Sequence, residues 1–216
     1  MHTTRHPWIV AGVDVGGPRK GFHAVALQGG AVLGSTRLDD PVEVVAWCLG
    51  RGAQIIGVDA PCRWSADGHA RPSERKLMAD GIWCFATPTR RAAEAHPTGY
   101  YGWMLAGAEL FRLLETRYPL YTGGTVRRGQ SVCFETFPHA VTCALRGELV
   151  SARNKRRDRP EVLARAGIAL RPRACIDTVD AALCALAALH LAANTVRLYG
   201  DAETGLIVVP RDARPL

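Results

Sequence analysis

Residues 8–17 of the chain read WIVAGVDVGG, an apolar run that carries one acidic residue, Asp14, and ends in two glycines. Such a run predicts a buried β-strand. A carboxylate buried in a strand destabilises the fold unless a cation meets it, so Asp14 needs a partner. A second run, residues 55–61 (IIGVDAP), repeats the pattern and brings Asp59 to the end of another predicted strand.

The repeated pattern predicts that two acids meet. If the two runs are neighbouring parallel strands, their backbones lie about 4.8 Å apart, and Asp14 and Asp59 emerge at the same edge of the sheet. Two close carboxylates repel each other, and a hard divalent cation removes the conflict. The alternative is that each aspartate ends its strand and caps a turn. The repetition favours the cation site.

Composition indicates a soluble globular protein with an anionic partner. A chain of 216 residues with 48% hydrophobic residues is long enough for one well-cored domain, so we expect a single domain over residues 1–216. The net charge of +7 favours polyanions near the surface, and nucleic acid is the obvious candidate. Arginine greatly outnumbers lysine, so part of this charge could instead reflect the base composition of the gene.

Cysteine usage and the N-terminus predict a reducing compartment. The seven cysteines are scattered and include no CxxC pair, which fits neither a disulfide framework nor a zinc knuckle. We therefore expect most thiols to act as small buried hydrophobes. The N-terminal residues MHTTRHPW contain no apolar signal core, and no stretch is apolar for long enough to span a membrane. The prediction is a cytoplasmic protein without membrane segments.

The first third of the chain predicts an antiparallel meander followed by a parallel strand. After the first run, residues 20–28 and 31–38 read as strands joined by a two-glycine hairpin turn. Asp40 and Pro41 predict a helix start, as N-cap and first helical residue. A right-handed crossover through this helix makes the fourth strand, residues 54–59, parallel to the first.

A long basic segment follows Asp59. We treat residues 62–130 as an insertion of loops and helices, which should overhang the edge that carries the two aspartates. Loops of such length inside a compact domain are mostly functional. The alternative is a solvated basic lid without specific contacts. The candidate substrate-binding residues are Arg63, Arg71, Arg75, Lys76, Arg90, Arg127 and Arg128.

The rest of the chain supplies further acids. Residues 131–137 (SVCFETF) predict a fifth strand, which would bring Glu135 to the same edge if it runs parallel. Residues 177–194 predict a buried, alanine-rich helix with Asp177 and Asp180 on one face of its first turn. These two could instead serve only as a cap and a dipole-favoured charge. Residues 205–209 (GLIVV) predict a short edge strand.

The densest charge run is residues 151–159, SARNKRRDR. Such a run usually forms a solvated or mobile face, and otherwise it grips phosphates. We expect Pro160 to begin the short helix that follows it.

Four segments of the chain together resemble one protein family. They are GVDVGGPRKGFHAVAL, IIGVDAPC, FETFPHAV and DTVDAALCALAAL, and in this order they resemble the DUF429 family, predicted nucleases of the ribonuclease H-like fold. The resemblance implies an α/β fold with a mixed five-stranded sheet, three antiparallel strands and then two parallel ones, flanked by helices.

The resemblance also implies a carboxylate cluster that binds two divalent cations, Mg²⁺ or Mn²⁺. Its catalytic residues would be Asp14, Asp59, Glu135 and Asp180. Asp14 would bridge both cations, the other three acids would divide the outer positions, and Asp177 would lie beside them as a further ligand. Hard cations prefer such oxygen ligands, and a pair of them promotes in-line phosphoryl displacement.

The leading hypothesis is therefore a metal-dependent nuclease that hydrolyses DNA or RNA. A second is a non-catalytic nucleic-acid-binding module of the same fold. A third is an ATP-using enzyme of the actin-like kind, for which the chain is too short because that architecture duplicates the fold. Cysteine catalysis through Cys62 or Cys133 near His139 has no support from spacing.

Overall fold

The computed structural model describes residues 8–17 and 19–211. Residues 1–7, where the sequence lacks a signal core, lie outside this range. The strands are β1 (Ile9–Val15), β2 (Phe22–Gln28), β3 (Ala31–Leu38), β4 (Ile55–Asp59), β5 (Val132–Glu135), β6 (Val196–Asp201) and β7 (Gly205–Pro210). The helices are α1 (Pro41–Gly50), α2 (Pro72–Ala79), α3 (Arg90–Glu94), α4 (Gly102–Leu114), α5 (Pro138–Arg146), α6 (Lys155–Arg165) and α7 (Ile176–Ala192), with a short 3-10 helix at Ala152–Asn154.

The seven strands form one mixed sheet in the order β3-β2-β1-β4-β5-β7-β6. Strands β1, β2 and β3 pair antiparallel, and β1, β4 and β5 run parallel, which confirms this part of the prediction. Gly29 has a φ of 56° in the turn between β2 and β3. Asp40 caps α1 by accepting a hydrogen bond from the Val42 backbone N–H at 2.7 Å, with Pro41 in the first helical position.

The predicted count of five strands is wrong, because β7 and β6 extend the sheet beyond β5. Strand β7 pairs parallel with β5 and antiparallel with β6, and all six of its residues are buried. It is therefore an interior strand, and the outer strand is β6, which the sequence did not reveal. Strand β6 reads VRLYGD and exposes Arg197 and Leu198, so it lacks the apolar run typical of a buried strand.

Helix α7 packs directly on the middle of the sheet, and two glycines allow this approach. A Cβ atom at Gly12 of β1 would lie 2.1 Å from the carbonyl oxygen of Ala181, and one at Gly57 of β4 would lie 2.6 Å from that of Cys184. Residues 179–191 of the helix are all buried. The first turns of α7 are thereby held against the ends of β1 and β4.

Successive side chains along β1 and β4 point to opposite faces of the sheet, and each face packs against its own hydrophobic core. Gly12 and Gly57 face α7, whereas Val13 and Val58 belong to the cluster that also contains Leu110 of α4. By the same alternation, residues 14 and 59 face the α7 side. The face on which a strand residue lies therefore decides whether its acid joins Asp14 and Asp59.

The charged segment 151–159 is helical for most of its length. It forms the 3-10 helix and the first half of α6, and Pro160 lies inside α6 rather than at its start. Asp158 and Arg159 are buried, with 1% and 7% of their surface exposed. The expectation of a wholly solvated face is therefore wrong for these two residues. Within the described residues, no helix combines the length and the apolar character that crossing a membrane requires.

Candidate functional site

Asp14 and Asp59 meet at the carboxyl ends of β1 and β4. They are register partners in this parallel pair, and their side chains lie close enough for each to shift the pKa of the other. Asp180, in the first turns of α7, faces them closely enough for its charge to act on both carboxyl groups. Asp14 and Asp180 are 9% and 5% exposed. The structure thus brings together three of the four acids that the sequence proposed as catalytic.

The ionised forms of these three acids are disfavoured at this site. Burial, followed by the charges of Asp180 and Asp177, raises the pKa of Asp14 to about 7. Burial and then the Asp14 and Asp180 charges hold the pKa of Asp59 well above its ordinary value. Burial also raises the pKa of Asp180, although the neighbouring Arg159 opposes this effect. Without a cation between them, the aspartates resist joint ionisation.

Arg159 is a member of the site that sequence reasoning missed. Its guanidinium donates a hydrogen bond to Asp180 Oδ1. It is buried, and its Nε has no hydrogen-bond partner among the described residues. Arg159 precedes Asp180 by 21 positions and ends the basic segment 151–159, so no spacing signal separates it from its solvated neighbours.

Glu135 is not brought to this cluster. It pairs in register with Val58, one residue before Asp59, so its side chain lies on the opposite face of the sheet. There it accepts two hydrogen bonds from Arg71, at 2.6 Å to Oε1 and 2.9 Å to Oε2, and one from the Cys62 backbone N–H at 2.8 Å. Its oxygens are already satisfied, so we leave Glu135 out of the proposed ligand set.

Arg71 has a structural position rather than the predicted phosphate-binding one. It is 3% exposed, and its Nε also donates to Glu74 Oε1 at 2.8 Å. Glu74 in turn accepts hydrogen bonds from the backbone N–H groups of Arg71 and Thr87, at 2.8 and 3.1 Å. This buried network ties the segment after β4 to the end of β5.

The other basic residues of the insertion have different surroundings. Arg63 is part-buried and pairs with Glu115 at 2.8 Å. Arg75 and Lys76 are exposed on α2, and Arg90 is exposed and paired with Glu94 at 2.7 Å. These residues remain accessible to an anionic ligand.

Arg127 and Arg128 lie far from the aspartates. The guanidinium of Arg128 stacks over the Trp8 ring, 4.5 Å from its centroid. Trp8 immediately precedes β1 and Asp14 lies near its other end, about 20 Å away at the rise of an extended strand. The expectation that these two arginines bind substrate at the acidic site is therefore not supported by their location.

Asp177 and Cys175 lie at the start of α7, next to the three acids but in a different group. Asp177 pairs with Lys20 at 3.5 Å and clusters with His23 and Cys175. Cys175 is exposed, unlike five of the other cysteines, so it departs from the expected role of buried hydrophobe.

The alternative of cysteine catalysis is not supported. Cys62 and Cys133 are buried, and burial raises the pKa of both thiols. The ring of His139 contacts a different cysteine, Cys143, whose Sγ lies 3.9 Å from Nε2. A buried, protonated thiol without a paired base is a poor nucleophile.

The fold and the site define a mixed α/β protein with an acidic centre at the carboxyl edge of its parallel strands. The chain belongs to the DUF429 family, because the model described as "Protein of unknown function (DUF429)" matches residues 12–204, and the resemblance seen in the sequence is confirmed. A solved structure described as "Thermus thermophilus RuvC structure" is 16% identical over 82% of this chain and 92% of that chain, with a TM-score of 0.41. Likeness at this level does not bear on function. No curated protein matches the chain.

Proposed function

We propose that this protein is a divalent-cation-dependent phosphodiesterase that acts on nucleic acid. The observation that carries the proposal is the convergence of Asp14, Asp59 and Asp180 from two strands and one helix. Three neighbouring carboxyl groups whose pKa values are all raised are an arrangement that stability alone does not favour. A function that needs them ionised together accounts for it.

The donor set fits a hard cation. Asp14, Asp59 and Asp180 offer only oxygen ligands, which Mg²⁺ and Mn²⁺ prefer. Arg159 balances one of the three negative charges, so two remain when all three acids are ionised. A bound divalent cation supplies Lewis-acid stabilisation and a nucleophilic water at neutral pH. The sequence predicts two ions at this site, and a titration with Mn²⁺ measures their number.

The surface around the insertion supports a nucleic-acid ligand. Exposed basic side chains on α2 and α3 can hold phosphates, and they accompany large exposed aromatic rings. Trp83 and Phe85 are 77% and 67% exposed, and Phe85 lies 6.5 Å from the ring of Tyr100, itself 53% exposed. Unpaired bases stack on such rings without sequence preference, so single-stranded regions are the proposed substrates.

Cleavage of labelled single-stranded and duplex DNA and RNA with Mg²⁺ or Mn²⁺ tests the proposal. We expect wild-type activity, and a loss of at least 100-fold in Asp14→Asn and Asp59→Asn. Asp39→Asn is the matched control, because its side chain is 72% exposed and pairs with Arg37 on the surface. Equal activity in Asp14→Asn and Asp39→Asn contradicts the proposal, and so does binding of these nucleic acids by the wild type without cleavage of any.

A further inference from the structure

His23, Cys175 and Asp177 form a second group of potential metal ligands beside the aspartate cluster. One ligand atom of each residue lies within 4.8 Å of the other two. His23 lies on β2 directly opposite Asp14 in the antiparallel pair, whereas Cys175 is the N-cap of α7 and Asp177 is its second residue. Residues from two distant parts of the chain therefore converge at one accessible point.

The distance between two of the three ligand atoms matches that in a tetrahedral coordination shell. His23 Nδ1 lies 3.6 Å from Cys175 Sγ. With Zn–N of about 2.05 Å and Zn–S of about 2.3 Å, two ligands of a tetrahedral zinc ion are about 3.6 Å apart. Thr178 Oγ1 lies 3.2 Å from both His23 Nδ1 and Cys175 Sγ, so these two candidate ligand atoms face the same point beside this hydroxyl group.

We propose that His23, Cys175 and Asp177 bind a borderline-soft transition-metal ion of the Zn²⁺ class, with the fourth coordination position left for solvent or a ligand. Sulfur and imidazole nitrogen are poor ligands for Mg²⁺ and good ones for Zn²⁺ or Co²⁺. The aspartate cluster, with oxygen donors only, has the opposite preference. The two groups are therefore distinguished by the ions they select, and this inference does not depend on the proposed nuclease activity.

The surroundings leave room for the ion. Cys175 is exposed, and the side chain of Lys20, which contacts Asp177 Oδ1 at 3.5 Å, is 66% exposed and free to turn into solvent. A cleft of about 460 Å³ between β3 and the loop before α7 reaches Thr178. Its lining includes Arg171 and Arg173, which would attract an anionic fourth ligand.

Cobalt titration of the EDTA-treated full-length protein tests this inference. Co²⁺ bound by a thiolate gives an intense near-ultraviolet charge-transfer band, which oxygen ligands do not give. We expect one equivalent of Co²⁺ to produce this band, Zn²⁺ to remove it and Mg²⁺ to leave it. Cys175→Ser should abolish the band, and His23→Ala should weaken Co²⁺ binding at least tenfold.

Two control variants check that the band arises from Cys175 and is independent of the aspartate cluster. Cys84→Ser removes the other cysteine that is not buried and should leave the band unchanged. Asp14→Asn, which disables the proposed nuclease centre, should also keep the band. Absence of the band in the wild type, its persistence in Cys175→Ser, or its loss in either control variant overturns the inference.

Discussion

Asp14 and Asp59 are register partners at the ends of β1 and β4, and both side chains lie on the face of the sheet that α7 covers. Burial under the helix is the main cost of ionising either acid, the charge of Asp180 adds to it for both, and the charge of Asp14 adds to it for Asp59. Two neighbouring acids with raised pKa values lower the free energy of unfolding at neutral pH. This loss is measurable, and its sign is fixed by the direction of the pKa shifts.

We predict that the metal-free protein becomes less stable as pH rises through the mildly acidic range. Asp14 has a pKa of about 7 in the fold against 3.8 for an ordinary aspartate, so between these values the native state holds more protons than the unfolded one. The free energy of unfolding therefore falls as pH rises through this window, and Asp14 alone accounts for about 4 kcal/mol over its full width, since a tenfold change in an ionisation constant corresponds to about 1.4 kcal/mol. Urea unfolding in EDTA at about pH 5 and about pH 8 measures the part of the fall above pH 5, to which Asp14 contributes about 3 kcal/mol.

Asp14→Asn should flatten this dependence and make the metal-free protein more stable than the wild type at the higher pH, because one of the repelling charges is gone. Added Mn²⁺ should raise the stability of the wild type there and have little effect on Asp14→Asn. Asp39→Asn, on the surface, should follow the wild type in both respects. The same pH dependence in all three proteins contradicts the prediction.

The buried network around Arg71 should contribute to stability rather than to chemistry. Arg71→Met leaves Glu74 and Glu135 buried without their shared cation, and we expect it to lower the free energy of unfolding by about 3–5 kcal/mol. Arg75→Met, four positions along on the exposed side of α2, should change it by about 0.5 kcal/mol or less. Chemical denaturation of both variants checks this, and equal effects would show that the buried pair does not hold the insertion in place.

The sequence predicted the centre of the site because its signal is local. Two apolar runs that each end in an aspartate identify parallel strands and their common edge, and β1 and β4 carry Asp14 and Asp59 as expected. The position of Glu135 could not be predicted without the exact register of its strand. A single position in the register decides which face a strand residue occupies, and nothing in SVCFETF indicates whether Glu135 lies opposite Val58 or Asp59.

Contacts between distant segments could not be predicted from the sequence for a different reason. Arg159 resembles its solvated neighbours in the sequence, and only the packing of α6 against α7 buries it beside Asp180. Strand β6 was missed because one face of an outer strand is exposed and its sequence carries no apolar run. In both cases the structure depends on a contact between distant segments, and a local sequence pattern does not reveal such a contact.

Arg159 should compete with a bound divalent cation for the carboxylate of Asp180. Arg159→Gln removes the positive charge from Asp180, so we expect lower stability in EDTA and Mn²⁺ binding that is several-fold tighter than in the wild type. Arg156→Gln, three residues earlier on the exposed side of α6, is the control and should alter neither property. Titration with Mn²⁺ followed by electron paramagnetic resonance measures the affinity. Weaker binding in Arg159→Gln would show that the arginine supports the cation site instead of competing with it.

Gly12 should be indispensable for the site even though it carries no functional group. An alanine there would place Cβ 2.1 Å from both the Ala181 carbonyl oxygen and the Ala185 nitrogen, both in the backbone of α7, so the helix must move away from β1. Overpacking of this kind costs about 1–3 kcal/mol or more, and the displaced helix carries Asp180 away from Asp14. We therefore expect Gly12→Ala to lower the melting temperature and, in the fraction that folds, to weaken Mn²⁺ binding at least tenfold. Gly50→Ala, at the end of α1 with open space around the added methyl group, should do neither. If Gly12→Ala binds Mn²⁺ as tightly as Gly50→Ala does, the close packing of α7 on β1 is not what positions Asp180, and the acidic centre must tolerate movement of the helix.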